Sequence, residues 1–410
     1  MKQVSSRWGT KTIVVVLLSS LFTSCGASSS EEVILRDAAK DHSSLIGLNE
    51  TGIPILATPD GGMVWKPIFR RGDTIRAGRS RLLIDGRDIA LPQLPGEPGS
   101  NLSPYSGEAW GDYIVLSYCH KANPGINTTP WTLAAWNRKT GSTAILDSRE
   151  GGPEPAISVD HGVVTYSATA DKDGLSKTMN IYRVDVDGST PPRVIEHDSG
   201  AVQMSWPYAF ALKRKLESRS SGRYVFNLKR IDLQSDEKLI LPQTNAGRGA
   251  FAVSGQHVLN ATESGDVVVA DLNGRIEVSG HVPDNFHFGG AGPVENGFFF
   301  IGDDGKPLHD TYSAILVLQH GKWNFVRLAR MSWADKFEQS TIHVVGNGKF
   351  VYWSDGRTAK SSRQYPDNVA DFTDIWHSAT IEQLIIGSKY VSTLPPMVAP
   401  SSSLVDQKST

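Results

Sequence analysis

The chain has 410 residues, a formal net charge of −2 and no strongly basic or acidic segment. Nucleic-acid-binding domains usually carry a concentrated basic surface, so the charge pattern predicts that nucleic acid is not a partner. The 39 glycines, 22 prolines and 9% aromatic residues supply many turns and much side-chain mass suited to strands. Segments with helical periodicity are few, and the composition therefore favours an all-β protein.

The first residues of the chain have the form of an export signal. Three basic residues come first, namely Lys2, Arg7 and Lys11. An apolar run from Ile13 to Phe22 follows, and small residues lead to Cys25. A helix that spans a membrane needs about 20 apolar residues, and this run is shorter. We therefore predict a cleaved signal peptide at residues 1–24.

The end of this leader, Leu21-Phe22-Thr23-Ser24-Cys25, resembles the lipobox of bacterial lipoproteins. In that family the cysteine receives a diacylglycerol and becomes the new N-terminus. The resemblance implies lipidation of Cys25, a small and polar tether at residues 25–32, and an extracytoplasmic protein anchored to a membrane of the bacterial cell envelope. Phe22 stands where the family usually has leucine. An ordinary secretory peptide cleaved near Ser24 or Ala27 is the alternative.

The body of the chain repeats one pattern, which is a strand, a polar loop, a second strand, a tight turn and a third strand. The repeats are predicted to begin with strands at Gly111–Tyr118, His161–Ala168, Tyr208–Leu212, Gln256–Asn260, Gly297–Ile301 and Lys349–Trp353. The spacing is roughly 40 to 50 residues, the period of a four-stranded propeller blade. Asn-Gly and Asp-Gly turns between short strands disfavour alternating strands and helices. The last repeat is predicted to end with a strand at Leu384–Ile386.

Two weaker hairpins, Ile53–Ile68 and Leu82–Leu91, precede the six repeats. Together with them, the repeats predict a β-propeller at residues 33–395, most simply with seven blades, although six or eight also fit. Propellers commonly close the ring by combining strands from both chain ends in one blade, which removes an exposed edge. We expect the early hairpins to serve this closure. Residues 396–410 are polar and serine-rich and are predicted to be a disordered tail.

One hairpin has a recognisable turn. The segment Thr58-Pro59-Asp60-Gly61-Gly62-Met63-Val64-Trp65 resembles the Asp-box turn of sialidases and related propellers. The resemblance implies a structural role, in which Asp60 accepts hydrogen bonds from turn amides, Gly62 supplies backbone freedom and Trp65 packs beneath the hairpin. It covers eight residues and occurs once, so it favours a propeller hairpin over sialidase activity. A chance Asp-Gly-Gly turn is the alternative.

The chain lacks local motifs for a nucleophile, a metal ion or a phosphate group, so we predict no catalytic residue, no metal site and no cofactor. Cys119 lies in an apolar strand and is predicted to be an inert thiol. Aromatic residues near loops would suit a peptide or sugar surface, with core packing as the alternative. The candidates for this ligand face are Trp110, Trp131, Trp206 and Trp333.

Three functional hypotheses fit these observations. The first is a binding or scaffolding module for a protein, peptide or glycan at the cell envelope. The second is a glycosidase-type hydrolase, which would need two carboxylates about 5 to 10 Å apart. Its candidate acids are Asp112, Asp171, Asp303 and Asp355. The third is a structural subunit of an envelope assembly, which would expose an apolar patch on the sides of the blades.

Overall fold

The computed structural model describes residues 44–46, 52–67, 80–85, 87–94, 103–119, 130–176, 178–218, 223–241, 250–261, 265–281, 287–303, 311–331, 344–358, 374–387 and 391–393. The predicted signal peptide, Cys25 and the tail at 396–410 lie outside these residues, and their assignments stay predictions. The described strands form seven antiparallel sheets, which are the seven blades of a β-propeller. The predicted fold class and the favoured blade number are confirmed.

Each blade has at least four strands, ordered below from the channel outward. Blade 1 is β2 (Gly52–Ala57), β3 (Met63–Pro67), β4 (Arg81–Ile84) and β5 (Arg87–Ala90); blade 2 is β6 (Ser103–Trp110), β7 (Tyr113–Cys119), β8 (Trp131–Asn137) and β9 (Thr143–Arg149); blade 3 is β10 (Ile157–Asp160), β11 (Val163–Thr169), β12 (Met179–Asp185) and β13 (Arg193–Glu196). Blade 4 is β14 (Ser199–Ser205), β15 (Tyr208–Ser218), β16 (Arg223–Asp232) and β17 (Lys238–Ile240); blade 5 is β18 (Ala250–Ser254), β19 (His257–Ala261), β20 (Asp266–Asp271) and β21 (Ile276–His281). Blade 6 is β22 (His287–Val294), β23 (Gly297–Asp303), β24 (Thr311–Gln319), β25 (Lys322–Met331) and β29 (Val391–Thr393); blade 7 is β26 (Val344–Asn347), β27 (Phe350–Thr358), β28 (Asp374–Thr380) and β1 (Ser44–Ile46).

The ring is closed in blade 7, where the first described strand pairs with a strand from the C-terminal part of the chain. Leu45 of β1 lies opposite His377 of β28 in an antiparallel pair. The prediction that both chain ends share a blade is therefore confirmed. The prediction that the hairpins at 53–68 and 82–91 close the ring is wrong, because those hairpins form blade 1 by themselves. The closing strand precedes them.

The innermost strand of each blade is not part of the predicted repeat. The repeat predicted at Gly111–Tyr118 corresponds to β7, and the structure places β6 before it on the channel side. Strand β6 is rich in small and polar residues because its neighbours crowd it. A Cβ atom on Gly107 would lie 2.4 Å from the carbonyl oxygen of Val115 and 2.8 Å from a methyl carbon of Leu56 in blade 1. Only glycine fits at this position.

The prediction of a strand at Leu384–Ile386 is also wrong, since these residues belong to helix α1 (Ile381–Gly387). The helix begins with a reciprocal pair of hydrogen bonds, a capping box. Gln383 N donates to Oγ1 of Thr380 at 3.2 Å, and Thr380 N donates to Oε1 of Gln383 at 2.8 Å. Across the described ranges, no helix is both long enough and apolar enough to cross a membrane.

The hydrophobic core is divided among the junctions between blades. The described residues contain seven buried clusters, and each cluster joins two adjacent blades. Successive side chains of one strand point to opposite faces of its sheet. Thus Phe298 and Phe300 of β23 pack against blade 5, while Phe299 packs against blade 7. Every blade is therefore held by both of its neighbours.

Polar side chains on the innermost strands also bond to the backbone of the next blade. These contacts run from Glu108 to Val159, from Ser158 to Met204, from Gln203 to Val253 and from Asn347 to Ala57, at 2.7 to 3.1 Å. An innermost strand has one edge without a strand partner, and its backbone groups need other partners when buried. The side chains of neighbouring blades supply them.

Candidate functional site

Aromatic rings from three successive blades lie together on one face of the propeller. This face, which we call the turn face, carries the short turns between the first and second strands of each blade. Trp110 is the last residue of β6, His161 lies in the turn after β10, and Trp206 lies in the turn after β14. Because the three residues lie in or directly beside the first turn of blades 2, 3 and 4, the fold makes them neighbours. We call them the aromatic triad.

The rings of the aromatic triad form a continuous stack. The His161 ring centroid lies 6.0 Å from that of Trp110 and 5.7 Å from that of Trp206, with interplanar angles of 32° and 19°. Asp160 holds the arrangement, since its Oδ1 lies 2.8 Å from Nδ1 of His161 and its Oδ2 accepts a hydrogen bond from Trp206 N at 2.8 Å. The His161 side chain is 59% exposed, whereas both tryptophans are partly buried against the core.

This geometry suits recognition rather than packing alone. Aromatic rings with a polar edge contribute large apolar area with few rotatable bonds, and they are enriched at binding surfaces. Two of the predicted ligand-face residues, Trp110 and Trp206, are thus brought together by the fold. His161 was missed. Its signal in the sequence is its position in the first turn of blade 3, since Trp110 directly precedes the same turn of blade 2 and Trp206 lies in the same turn of blade 4.

The other two candidates for the ligand face do not join the triad. Trp131 is 1% exposed and packs edge-on against Tyr166, with ring centroids 6.3 Å apart. Core packing, the alternative for these aromatic residues, applies to Trp131. Trp333 lies outside the described residues.

The aspartates considered for hydrolysis are divided between the two faces of the propeller. Asp112 is exposed in a turn on the turn face. Asp171 follows β11 and Asp303 ends β23, which places both toward the opposite face, where the loops between second and third strands emerge. The side chain of Asp355 is outside the described part of the structure. The fold therefore separates Asp112 from Asp171 and Asp303.

The turn that resembles an Asp box has different hydrogen bonds from those implied by the resemblance. The amide of Gly62 donates to Oγ1 of Thr58 at 2.7 Å, and Thr58 donates to Asp60 at 2.6 Å. Asp60 also forms an ion pair of 2.9 Å with Arg138 of blade 2. Partial burial opposes ionisation of Asp60, but these bonds outweigh it and lower the pKa of its carboxyl. The turn thus ties blade 1 to blade 2.

A second candidate region lies at the central channel and was missed by sequence reasoning. The channel holds a cavity of about 150 Å³, lined by innermost strands and by Phe299 and Ile301. Among its lining residues are Ser106, Glu108 and Gln203. Burial raises the pKa of Glu108 to about 7, although hydrogen bonds from Ser158 and Val159 N oppose the shift. The cavity is therefore apolar with a few polar groups, as small-molecule sites usually are.

Charged and polar side chains gather at the loop-face mouth of this channel. The Lys66 ammonium lies 4.8 Å from the centroid of the Tyr105 ring. Burial raises the pKa of Glu154 to about 8, and it raises that of Cys119 to about 12. Cys119 therefore stays a protonated thiol at neutral pH, as predicted from its apolar strand. In the part of the chain that the structure describes, no group of three or more His, Cys, Asp or Glu residues could hold a metal ion.

The third hypothesis predicted an apolar patch on the sides of the blades. Large apolar side chains are exposed on the outer strands of blades 1 to 4, namely Ile89, Ile145, Val194, Leu239 and Ile240. They are spread over four blades, with one or two on each outer strand. Apolar residues scattered in this way are normal on protein surfaces, so those in the described part of the chain give no support to an assembly interface.

Comparison with known proteins gives no family and no activity. No protein-family model matches the chain, and no curated protein sequence matches it. Among solved structures, it is similar to an acylaminoacyl peptidase from Pyrococcus horikoshii (11% identity, TM-score 0.40, covering 63% of this chain and 49% of that one). It is also similar to the β-propeller domain of the trilobed protease from Pyrococcus furiosus (10% identity, TM-score 0.38, covering 62% and 89%).

A prolyl endopeptidase is similar at the same level, with 11% identity and a TM-score of 0.38 over 79% of this chain and 56% of that one. The chain spans about half the length of the acylaminoacyl peptidase. Propellers support many unrelated functions, so likeness at this level does not transfer an activity.

Proposed function

We propose that the protein is a lipid-anchored, extracytoplasmic propeller that binds or scaffolds a protein, peptide or glycan at the bacterial cell envelope. The observation that carries the binding role is the aromatic triad, a stacked and partly exposed surface held in place by Asp160. The leader that ends at Cys25 supports the anchor. On this proposal the ligand is held and released unchanged.

Lipidation is tested by replacing Cys25 with alanine. We expect the variant to lose metabolic labelling by a fatty acid and to move from the membrane fraction to the soluble fraction, because the diacylated cysteine would be the anchor. Cys119→Ala is the matched control and should keep both the label and the membrane fraction, since that thiol is partly buried in a strand. A wild-type protein that takes up no label would refute the anchor.

The aromatic triad is tested by substitution on a folded propeller. Peptide and glycan arrays would first identify a ligand, and its Kd would then be measured by calorimetry. We expect Trp206→Ala and His161→Ala each to weaken binding by about 1–3 kcal/mol, the usual cost of removing a central contact residue. Thermal unfolding would verify that each variant is folded.

Leu175 provides the control for this experiment. Its side chain is 74% exposed in a loop on the opposite face, so Leu175→Ala should leave the Kd unchanged. A ligand that binds equally well to the wild type and to a Trp110→Ala, Trp206→Ala double variant would show that the triad is not the binding surface.

A further inference from the structure

The loop-face mouth of the channel carries a lysine ammonium and a glutamate carboxyl group that lie near each other without pairing. Lys66 is the penultimate residue of β3 in blade 1, and Glu154 lies between β9 and β10, where the chain passes from blade 2 to blade 3. The two groups attract each other electrostatically, yet no ion pair joins them. The mouth therefore has a cationic side and, across a gap, a carboxyl side that becomes anionic as Glu154 ionises near pH 8.

Lys66 forms the cationic side of this gap. Its ammonium lies over the ring of Tyr105 at 4.8 Å from the centroid, and among the described residues it makes no hydrogen bond and no ion pair. Burial lowers the pKa of Lys66, and the nearby Glu154 only partly offsets this effect. A partly buried ammonium without an anionic partner is unfavourable, so a bound carboxylate would stabilise it.

Glu154 forms the anionic side and is connected to the channel. Its Oε1 accepts a hydrogen bond from Ser117 at 3.3 Å, and the Ser117 hydroxyl lies 2.9 Å from that of Ser106. Ser106 also lines the channel cavity. The polar mouth and the apolar cavity are thus adjacent parts of one site. Two serine hydroxyls only partly replace the water that a carboxylate loses, and a bound cation would complete its surroundings.

We propose that this mouth binds a zwitterionic amino acid, with its ammonium at Glu154, its carboxylate at Lys66 and an apolar side chain in the channel cavity. A cavity of about 150 Å³ has room for a group about as large as benzene. The side chains of leucine and phenylalanine are of about this size. A simple amine or a simple carboxylate would neutralise one side and leave the other unpaired. The site therefore selects ligands that carry both charges.

Proton release follows from this assignment. The pKa of Glu154 is about 8 in the free protein, so its carboxyl is largely protonated at pH 6 to 7. A bound ammonium favours the ionised form, and binding at pH 7 must then release protons and strengthen as the pH rises from 6 to 8. Among the groups that face Glu154, burial raises the pKa values of Tyr105 and Cys119, which stay neutral in this window, and Lys66 is the cation.

The test is calorimetry on the folded protein with L-leucine, N-acetyl-L-leucine and L-leucinamide as probes. We expect leucine to bind and each analogue, which lacks one of the two charges, to bind at least tenfold more weakly. Leucine binding should weaken at least tenfold in Lys66→Met and in Glu154→Gln, both close in shape to the wild type. Lys139→Met, at an exposed turn on the opposite face, should bind as the wild type does.

The analogue series on the wild-type protein keeps the test decisive even where a variant folds poorly. Equal affinity for leucine and both analogues would overturn the proposal, and so would the absence of detectable leucine binding. Equal heats in two buffers of different ionisation enthalpy at pH 7 would overturn the role of Glu154. None of these outcomes bears on the aromatic triad, which lies on the other face.

Discussion

Replacing Arg149 with methionine is expected to destabilise the propeller by about 3–5 kcal/mol, because it leaves a buried carboxylate without its cation. The side chains of Arg149 and Asp147 are 3% and 4% exposed, and Nε of Arg149 lies 2.8 Å from Oδ2 of Asp147. Tyr166 of blade 3 donates a hydrogen bond to the same oxygen at 2.8 Å. Arg149 also donates to the carbonyl oxygen of Thr169 in blade 3 at 3.2 Å. The pair therefore joins blades 2 and 3 inside the core.

The measurement is urea unfolding of the wild type and three variants. Arg193→Met removes a comparable pair, Arg193 with Asp236, but those side chains are 51% and 60% exposed, and its loss should cost less than about 1 kcal/mol. Replacing Asp147 with leucine in the Arg149→Met background should recover part of the stability, because the unpaired charge is gone. Equal losses in Arg149→Met and Arg193→Met would contradict the assignment.

Trp65→Ala is expected to cost about 3–5 kcal/mol, the usual range for removing a buried tryptophan. The Trp65 side chain is 0% exposed and packs in the cluster with Met63 of blade 1 and Tyr352 of blade 7. This cluster fills the junction between the first and last blades. Removal of the Trp65 side chain would therefore leave a cavity at the point where the ring closes. The loss in unfolding free energy would be measured by urea titration.

Two comparisons sharpen this prediction. Trp65→Phe keeps much of the apolar volume and should cost clearly less than alanine. Trp206→Ala removes an equally large side chain that is only partly buried, and it should also cost less. If Trp65→Ala proved no more destabilising than Trp206→Ala, the junction between blades 1 and 7 would not depend on Trp65.

The sequence predicts the outer strands of the blades better than the inner ones, for a physical reason. A second strand such as Tyr113–Cys119 is buried along most of its length between neighbouring blades and has a mainly apolar sequence. An innermost strand such as Val344–Asn347 lines the channel, where close approach favours glycine and an unpaired edge favours polar side chains. A Cβ on Gly346 would lie 2.4 Å from a methyl carbon of Val294 in blade 6. Such strands have no hydrophobic pattern to detect.

The helix at Ile381–Gly387 could have been predicted. Leu384–Ile386 is too short an apolar run to distinguish a strand from a helix. The Thr-x-x-Gln spacing from Thr380 to Gln383 is a helix-start signal, although the expectation of a complete repeat argues for a strand. At this position the local capping signal carries more information than the repeat.

The candidate sites are harder to predict because they are assembled across blades. Trp110 and Trp206 could be chosen as aromatic residues near loops, but only the ring geometry places His161 between them. Lys66 belongs to blade 1 and Glu154 to the link between blades 2 and 3, and the two residues share no motif spacing. Trp131 shows the converse, since its residue type suits a surface while its strand lies in the core.

The hydrogen bonds between innermost strands limit which rearrangements of the blades the gene can tolerate. Glu108, Ser158, Gln203 and Asn347 each reach the next blade with a different side chain. Blades with the same strand order therefore differ in the side chain that bonds to the neighbouring blade. Moving the chain ends to another loop would preserve all of these hydrogen bonds. Exchanging or duplicating a blade would instead leave mismatched donors and acceptors at two junctions. The order of the blades is thus constrained by these hydrogen bonds as well as by the chain connections. Recombination that reorders blades is therefore expected to destabilise the propeller.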